Sequence, residues 1–304
     1  MRRPVRGTYR GYGIVSMPPS SSGGVVLIEM LNILEGYKLS DPGTDKALRL
    51  HLMIEAMKRG YADRATYLGD PAVVSAPLAR LMSKRYAATL RADIDPDRAR
   101  PVGEPSPAPI REGDNTTHFS VVDRFGNAVS NTYTLNFSYG LGMVADGTGV
   151  LLNNELDDFA AKPRAPNAYG LIGGDANAPG PGKRPLSSMT PTIVLKNGRP
   201  FLVTGSPGGS RIITAVLGII TNVIDLDMGV AEAVAAPRIH HQWSPDEVAA
   251  ERGLSVDVIR ALQARGHKVR EGPPGTSANS ILVTPQGFVG AADGRTRGAL
   301  AAGY

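Results

Sequence analysis

Cysteine is absent from all 304 residues of the chain. Disulfide bonds, a thiol nucleophile and cysteine-ligated zinc are therefore excluded, while the redox compartment stays open. The adjacent His240 and His241 would point to opposite faces of an extended segment and cannot easily share a metal ion. No zinc ligand set emerges, and neither a metal nor a cofactor is expected.

The chain also lacks a long apolar run and a concentration of charge. No stretch reaches the ~20 apolar residues of a membrane-spanning helix, so no membrane span is predicted. The net charge of +5 is spread without a long basic run, and nucleic acid is not expected as a partner. Arg2 and Arg3 are not followed by an apolar stretch, so no signal peptide is predicted.

Hydrophobic residues make up 42% of the chain, which is enough for a packed core, and the length suits one large domain or two small ones. A proline-rich run over 101–109 is typical of a linker. From Thr116 onward, short β-patterned segments alternate with glycine-bearing turns, so the organisation of the chain changes at this residue.

The part before the linker is predicted to be mostly helical. Its strongest helical pattern has Thr44 as the expected N-cap and ends at Gly69-Asp70-Pro71. His51 lies in this helix without a second histidine at ligand spacing and is interpreted as a packed or half-exposed side chain. The Arg and Lys residues of this part are interpreted as a solvated helix face. The predicted elements are a strand over 8–16 and helices over 25–34, 44–68 and 77–92.

The part after the linker alternates strands with turns and helices. A turn at 124–127 separates two strands that should form a hairpin, and Asn197-Gly198 marks a second hairpin. The predicted strands are 118–122, 128–136, 192–195, 201–204 and a pair within 281–292, and the predicted helices are 211–224, 230–236 and 255–265.

Two glycine-rich loops precede helices. The loop at 18–24 is either a plain turn or a loop whose amides approach a ligand, but it lacks the lysine of a phosphate loop. In the loop at 205–210, Gly208 and Gly209 are candidates for the two N–H donors of an oxyanion hole, because only glycine lets the backbone approach so closely. Such loops also occur as plain turns.

Thr116 stands where a loop meets a strand, and it is either a plain strand residue or a nucleophile. A threonine hydroxyl needs a base, and His118 would lie on the same face of a regular strand, although a histidine there is more often structural. The alternative is scission between Asn115 and Thr116, which frees an α-amine whose pKa near 8 suits a base.

The segment Asn153-Asn154-Glu155-Leu156-Asp157-Asp158 packs two amides and three carboxylates into six positions. It is either an acidic turn or part of a site for an amino-acid head group. In the second interpretation Asp158 or Glu155 would hold an ammonium group. Ser187, Ser188 and Asn136 would hold a carboxylate.

Together these segments resemble γ-glutamyltransferase, also called γ-glutamyl transpeptidase or glutathione hydrolase. The combination is more specific than any single motif and extends over essentially the whole chain. The resemblance implies an α+β fold of the N-terminal-nucleophile hydrolases, an αββα sandwich of two stacked antiparallel sheets between helices. It is carried by 114–136, 151–159, 175–192, 204–214 and 236–243, with Tyr9-Arg10-Gly11-Tyr12, the 17–24 loop, Tyr61-Ala62-Asp63-Arg64 and Ala302-Gly303-Tyr304.

The resemblance also implies a precursor that cuts itself between Asn115 and Thr116. Residues 1–115 would be the end of a large subunit and 116–304 the small catalytic subunit of a heterodimer. The γ-glutamyl group of glutathione or a related amide would pass to Thr116 and then to water or an acceptor amino acid or peptide.

Individual roles follow from the matching positions. Thr116 matches the nucleophile, and Thr134 matches the threonine that hydrogen-bonds the nucleophile's hydroxyl. Asn136, Glu155 and Asp158 match residues on the donor's α-amino and α-carboxylate groups. The remaining matches are Ser187 and Ser188 on the carboxylate, Gly208 and Gly209 in the oxyanion hole, and Tyr169 in a lid loop at 163–174.

One departure from the family is large. The family's large subunit is much longer than 115 residues, and the arginine that clamps the donor α-carboxylate belongs to the portion with no counterpart here. We therefore interpret the chain as the C-terminal part of such a protein, expected to expose the apolar face of one sheet. Family members suggest a periplasmic or extracellular location, although the chain itself shows no signal.

Two rival interpretations stay open. A related acylase would cleave glutaryl-cephalosporin amides, but Asp158 favours a donor with an α-ammonium group. The other rival is an inactive remnant, or one half of a two-chain assembly completed by a separate partner.

Overall fold

The computed structural model describes residues 2–102, 116–162, 165–273 and 275–303. The predicted scission residue Asn115 lies outside these residues. The helices are α1 Gly23–Leu34, α2 Lys46–Tyr67, α3 Leu78–Leu81, α4 Lys84–Ala92, α5 Ile212–Ile224, α6 Val230–Ala235 and α7 Val256–Ala264. The strands are β1 Val5–Tyr9, β2 Tyr12–Ser16, β3 Thr116–Val122, β4 Ala128–Thr134, β5 Thr192–Lys196, β6 Arg199–Thr204, β7 Ile239–His240, β8 Val248–Glu251, β9 Val269–Gly272, β10 Asn279–Thr284 and β11 Gly287–Ala292.

A six-stranded antiparallel sheet in the order β1-β2-β5-β6-β10-β11 forms the centre of the fold. Helix α1 contacts its first two strands and also packs on α2, α4 and α5. Every residue of α1 is buried, which explains why its sequence is apolar all round rather than on one face. The core therefore lies between this sheet and its helical layer.

The two-stranded sheet β3-β4 packs against the central sheet through polar inward-facing side chains. Ser130 Oγ donates to the Thr204 carbonyl at 2.9 Å, and Ser120 Oγ donates to the Asn279 carbonyl at 3.0 Å. Because side chains alternate along a strand, the other face carries exposed apolar groups. These are Phe119, Val121, Val129 and Tyr133.

The α+β class and the stacking of antiparallel sheets next to helices confirm the predicted fold class. A third sheet, with β7 antiparallel to β8 and β8 parallel to β9, was not predicted. Within the described ranges, no helix is long and apolar enough to cross a membrane.

Three predictions about the first part of the chain are wrong in detail. The single strand over 8–16 is a hairpin that turns at Arg10 and Gly11, which both have positive φ. Asp45, not Thr44, caps α2 by accepting from the Leu48 amide at 2.6 Å. The single helix over 77–92 is two helices, because Ser83 starts a new one as its N-cap.

The predicted solvated face of α2 is also wrong. Lys58, Arg59 and Arg64 are buried on this helix. Glu55 compensates the first two charges, since it accepts from Arg59 at 2.7 Å and lies 3.2 Å from Lys58. Sequence reasoning misses such pairs because it assigns charged residues to solvent by default.

Candidate active site

One cleft brings together most of the predicted site residues. It encloses about 270 Å³ of empty space, part of which is open solvent. Among the predicted residues, only Gly208 and Glu155 fall outside its lining and Asn115 outside the described chain. The lining residues are Thr116, Thr134, Asn136, Asp158, Tyr169, Ser187, Ser188, Met189, Gly209 and Ile212.

The Thr116 hydroxyl is held by the register of the β3-β4 hairpin, which pairs Thr116 directly with Thr134. Thr116 Oγ1 donates to Thr134 Oγ1 at 3.1 Å. The same Thr134 oxygen accepts from the Asn136 amide at 2.8 Å. Both hydroxyls are therefore oriented by the hairpin and by the residue just beyond it.

His118 lies on the Thr116 side of β3, as predicted, but its ring is engaged elsewhere. Its nitrogens pair with Thr132 Oγ1 at 2.8 Å and Ser120 Oγ at 3.1 Å. Burial lowers the pKa of His118 to about 4, so the ring is neutral near pH 7. A Cβ on Gly205 would lie 2.3 Å from the ring, which shows how closely the backbone packs on it. These contacts favour the structural interpretation of His118.

Gly208 and Gly209 adopt conformations that other residues rarely take. Their φ angles are +129° and +53°. A Cβ on Gly208 would lie 2.3 Å from the Gly275 carbonyl, and one on Gly209 would lie 2.6 Å from the Tyr169 ring. In the part of the chain that the structure covers, neither glycine amide donates a hydrogen bond. Two N–H groups beside the cleft are thus uncommitted.

The acidic end of the cleft is a short 3-10 helix, Glu155–Asp158. Burial raises the pKa of Asp158 to about 7, and the neighbouring Glu155 adds to the effect. Burial alone raises the pKa of Glu155 to about 7. Asn177 Nδ2 donates to the Asp158 carbonyl at 2.7 Å and fixes this helix. An ammonium group would find two carboxyl groups poised to ionise.

Tyr169 covers the cleft and fixes Asn136. The Tyr169 hydroxyl donates to Asn136 Oδ1 at 2.5 Å, and Asn136 Nδ2 donates to the Asn154 carbonyl at 3.0 Å. Gln242 Nε2 donates to the Tyr169 carbonyl at 3.1 Å. Tyr169 is buried by these contacts, although residues 163–164 of the predicted lid loop lie outside the described chain.

The serine pair is prepared to donate hydrogen bonds. Ser187 Oγ accepts from the Met189 amide at 3.1 Å, and Ser188 Oγ accepts from Arg64 at 3.2 Å. A hydroxyl has one hydrogen and two acceptor lone pairs, so both hydrogens stay uncommitted among the described residues. An anionic group at this end of the cleft would receive two O–H donors.

The glycine-rich loop at 18–24 supports this pair rather than facing an open anion site. The Ser22 amide and hydroxyl both donate to the Ser187 carbonyl at 2.8 Å. A Cβ on Gly23 would lie 2.3 Å from the Met189 carbonyl. The loop therefore packs directly against the serine segment.

Sequence reasoning missed several residues that hold the cleft together. These are Arg64, Asn154, Asn177 and Gln242, all buried. All four stood inside segments that match the family, and that was the available signal for them. Their partners come together only in the fold, as when Asn177 donates to the Asp158 carbonyl and Gln242 donates to the Tyr169 carbonyl.

A second cluster of potential ligands lies on α2. The ligand atoms of His51, Glu55 and His267 lie within 4.8 Å of one another, a partner for His51 that the sequence did not reveal. His51 Nε2 meets the Asp95 carbonyl at 2.8 Å, so it is the donor and His51 Nδ1 accepts from His267 at 2.8 Å. Both nitrogens of His51 are therefore used in hydrogen bonds, and Glu55 is paired with Lys58. We interpret the cluster as a hydrogen-bonded network and not as a metal site.

A threonine hydroxyl beside uncommitted amides and paired hydroxyl donors is an arrangement that acyl-transferring enzymes use. The gamma-glutamyltranspeptidase family model matches residues 1–303, and the chain belongs to this family.

Relatives of this chain share its sequence and fold. It is 52% identical to an Escherichia coli glutathione hydrolase proenzyme over 306 residues, covering 100% of this chain and 53% of that protein. A Helicobacter pylori gamma-glutamyltranspeptidase mutant is 56% identical with a TM-score of 0.57, over 59% of this chain and 100% of the other. A Bacillus halodurans cephalosporin acylase is 27% identical with a TM-score of 0.80, over 97% and 52%. The chain thus spans about half the length of the curated relatives it matches.

Proposed function

We propose that this chain carries the catalytic part of a γ-glutamyl transferase and hydrolase that activates itself by cleavage before Thr116. The observation that carries the proposal is the Thr116 hydroxyl, held by Thr134 at 3.1 Å at the edge of a cleft with acidic and serine-lined ends. The substrates are glutathione and other γ-glutamyl amides, with water or an amino acid or peptide as acceptor.

Self-cleavage begins when the Thr116 hydroxyl attacks the Asn115 carbonyl. The peptide nitrogen takes the proton and leaves as the α-amine of Thr116, while the Asn115 acyl group forms an ester with the hydroxyl. Water then hydrolyses the ester. The freed α-amine has an ordinary pKa near 8 and serves as the base for later turnovers.

The proposed pieces 1–115 and 116–304 would remain one heterodimer. Strand β2 pairs with β5 in the central sheet, from Ser16 with Thr192 to Gly13 with Leu195. The proposed cut would therefore leave two polypeptides that contribute strands to the same sheet. In this proposal residue 116 marks a processing site and not a boundary between two separately folding domains.

Transfer uses both ends of the cleft. The donor's α-ammonium would lie at Asp158 and Glu155, and its α-carboxylate at Ser187 and Ser188. Thr116 Oγ attacks the γ-carbonyl, and the resulting oxyanion is stabilised by the uncommitted glycine amides. The amine leaves with a proton from the α-ammonium of Thr116, and water or an acceptor amine then cleaves the ester.

A glutaryl-amide hydrolase is the second candidate, favoured by the cephalosporin acylase among the similar structures. A glutaryl donor lacks the α-ammonium group. Two partly buried carboxyl groups at the acidic end, Asp158 and Glu155, would then have no cation to pair with when they ionise, which supports a γ-glutamyl donor. A third possibility, that activity needs a partner polypeptide, is consistent with the chain's share of its relatives' length.

Intact mass spectrometry tests self-cleavage. The wild-type protein should yield two fragments that meet at Asn115 and Thr116, and Thr116→Ala should remain uncut. Thr117→Ala is the matched control, because Thr117 is exposed on the opposite face of β3 and should still be cut. Cleavage of Thr116→Ala would refute the proposal that Thr116 cuts the chain. Absence of cleavage in both the wild type and Thr117→Ala would refute the proposal that this chain cleaves itself.

Turnover of γ-glutamyl and glutaryl anilides then separates the two candidate activities. The γ-glutamyl anilide should be the better substrate, and glutathione should compete with it. Preference for the glutaryl anilide would favour the acylase. Cleavage of the chain without turnover of either anilide would point to the need for a partner polypeptide.

A further inference from the structure

Arg64 is a buried cation directly behind the serine end of the cleft. Its side chain is 3% exposed, and it projects from α2 between the 18–24 loop and the serine segment. Arg64 Nε donates to Ser22 Oγ at 2.9 Å, and Nη2 donates to Ser188 Oγ and the Leu186 carbonyl, both at 3.2 Å. All three acceptors are neutral groups.

The charge of Arg64 forms no ion pair with a described carboxylate, and Asp158 acts on it only from a greater distance. Within the described ranges, no Asp or Glu oxygen lies within ion-pair distance of it, in contrast to Arg59, which pairs with Glu55 at 2.7 Å. Burying a guanidinium group without a counter-ion is costly, and burial lowers the pKa of Arg64 accordingly. A neutral side chain of similar size could join the 18–24 loop to the serine segment at a lower desolvation free energy. The positive charge of Arg64 therefore needs a separate explanation.

The cleft contains the groups that this charge affects. Arg64 is not part of the lining, so it does not touch a ligand there. It does act on Asp158, whose pKa it lowers against the effect of burial. It also faces the serine pair, the end of the cleft suited to an anion.

The hydrogen bonds of Arg64 set the direction of the hydroxyls. By filling an acceptor position on Ser188 Oγ, Arg64 leaves the Ser188 hydrogen free to point at a ligand. By donating to Ser22 Oγ, it leaves the Ser22 hydrogen for the Ser187 carbonyl, which fixes the neighbouring serine. One side chain thus orients both members of the pair.

We propose that Arg64 is a positioning residue that orients Ser187 and Ser188 and supplies the positive potential for the donor's α-carboxylate. This inference rests on the proposed γ-glutamyl donor site. It predicts that removing the charge weakens ligands through their carboxylate and spares ligands that have only the ammonium group.

The test measures binding of two small ligands by calorimetry, which does not require turnover. The γ-glutamyl anilide carries both the α-ammonium and the α-carboxylate, and the 4-aminobutanoyl anilide carries the ammonium group alone. Both are offered to the uncut Thr116→Ala protein, so the carboxylate is the only variable. Arg64→Met should bind the γ-glutamyl anilide roughly 10- to 100-fold more weakly, as expected for loss of support to a charged hydrogen bond, and the 4-aminobutanoyl anilide within about 3-fold.

Two further variants keep the result decisive. Arg64→Lys retains the charge but not the forked donor geometry, and should lose less of the preference for the carboxylate-bearing ligand. Arg49→Met is the matched control, because Arg49 is also an arginine of α2 but donates to the Leu39 and Thr44 carbonyls before the helix and not to the serine segment, so it should leave the preference unchanged. If Arg64→Met does not fold, the test compares the preference for the carboxylate-bearing anilide between Arg64→Lys and the protein that retains Arg64.

Equal losses for both anilides would show a purely structural role and overturn the inference. An unchanged preference in a folded Arg64→Met or Arg64→Lys protein would do the same. Failure of the proposed function looks different, because the protein with Arg64 intact would then show no preference for the carboxylate-bearing anilide, and the wild type would neither cut itself nor turn the γ-glutamyl anilide over.

Discussion

Two carboxyl groups at the acidic end of the cleft, Asp158 and Glu155, titrate near neutrality because burial raises their pKa values to about 7. In the proposed donor site, the donor's α-ammonium group would bind their ionised forms. We expect the KM for a γ-glutamyl anilide to fall roughly 10-fold between about pH 6 and about pH 8, as both groups lose protons. The measurement is KM across this range.

A glutaryl anilide provides the control for this titration. It has no ammonium group, so its KM should not fall as Asp158 and Glu155 ionise. Asp158→Asn should flatten the pH dependence for the γ-glutamyl anilide and raise its KM. An unchanged profile in Asp158→Asn would show that another group controls donor binding.

Glu29 on α1 affects stability rather than the cleft. Its carboxylate oxygens are buried, and neither has a hydrogen-bond partner within the described residues. Burial, then the neighbouring Asp63, raises the pKa of Glu29 well above its ordinary value. A carboxyl group whose pKa is raised on folding destabilises the fold increasingly as pH rises from its unfolded pKa to its folded pKa. We expect Glu29→Gln to melt at a higher temperature than wild type at about pH 8, with a smaller difference at about pH 5.

Glu35 supplies the opposite case. Burial raises its pKa, but hydrogen bonds from Lys84 and the Arg10 amide outweigh this and lower it overall. Glu35→Gln should therefore lose stability at about pH 8, and the loss should shrink as pH falls from the pKa of an unfolded glutamate through the lower pKa of the folded protein. If both variants shift the melting temperature in the same direction at high pH, the assignment for Glu29 is wrong.

Among the elements, the loop before α5 combines two requirements for glycine. Gly209 has a left-handed φ of +53°, and its missing Cβ leaves room for the Tyr169 ring. Gly182 has a similar φ of +64° but nothing within 4 Å of a built Cβ. Gly209→Ala and Gly182→Ala should therefore each introduce backbone strain of about 1 kcal/mol. Only Gly209→Ala should also place a methyl group against the Tyr169 ring.

We expect Gly209→Ala to reduce turnover of a γ-glutamyl anilide at least about 10-fold, because the added methyl group would displace Tyr169 or the amides beside the cleft. For comparison, deletion of one oxyanion-hole donor typically costs about 100-fold or more in kcat. Gly182→Ala should keep near wild-type turnover. The kcat of each variant checks this. Similar kcat values for both variants would mean that the ring contact does not support the cleft.

The elements also show what could be predicted from sequence. The β3-β4 hairpin followed from alternation around the turn at 124–127, and its register placed Thr116 opposite Thr134. Strand β7 has only two residues, and β8 reads Val-Ala-Ala-Glu without alternation, so neither gives a periodic signal. They are strands because they pair with each other and because β8 also pairs with β9, and none of this pairing leaves a periodic signal in the sequence.

The site shows the same limit. The cleft residues came from resemblance to a family, since no periodicity brings Asp158, Ser187 and Thr116 together. Arg64 looked like a solvated helix position, and only the fold shows that the serine segment covers it. Long-range hydrogen bonds of this kind follow from packing, so they were beyond reach of local patterns.

At the scale of the whole molecule, the outer face of β3-β4 exposes an apolar surface. Phe119, Val121, Val129 and Tyr133 are between 43% and 56% exposed, and Val121 and Val129 are cross-strand partners. A contiguous apolar face on a sheet promotes association in water. We expect Phe119→Lys combined with Val121→Thr and Val129→Thr to reduce binding of a hydrophobic dye and self-association, measured by fluorescence and light scattering.

The two threonine substitutions keep β-branched residues in the strands, and the single lysine replaces an outward-facing side chain, so the hairpin and its inward face should survive. Self-cleavage at Thr116 should therefore persist, and its rate reports whether the register is intact. Val256→Thr is the control, because Val256 is 61% exposed on α7, away from this sheet. It should alter neither dye binding nor scattering. If it reduces both as much as the triple variant does, the exposed sheet face is not the surface through which the molecule associates.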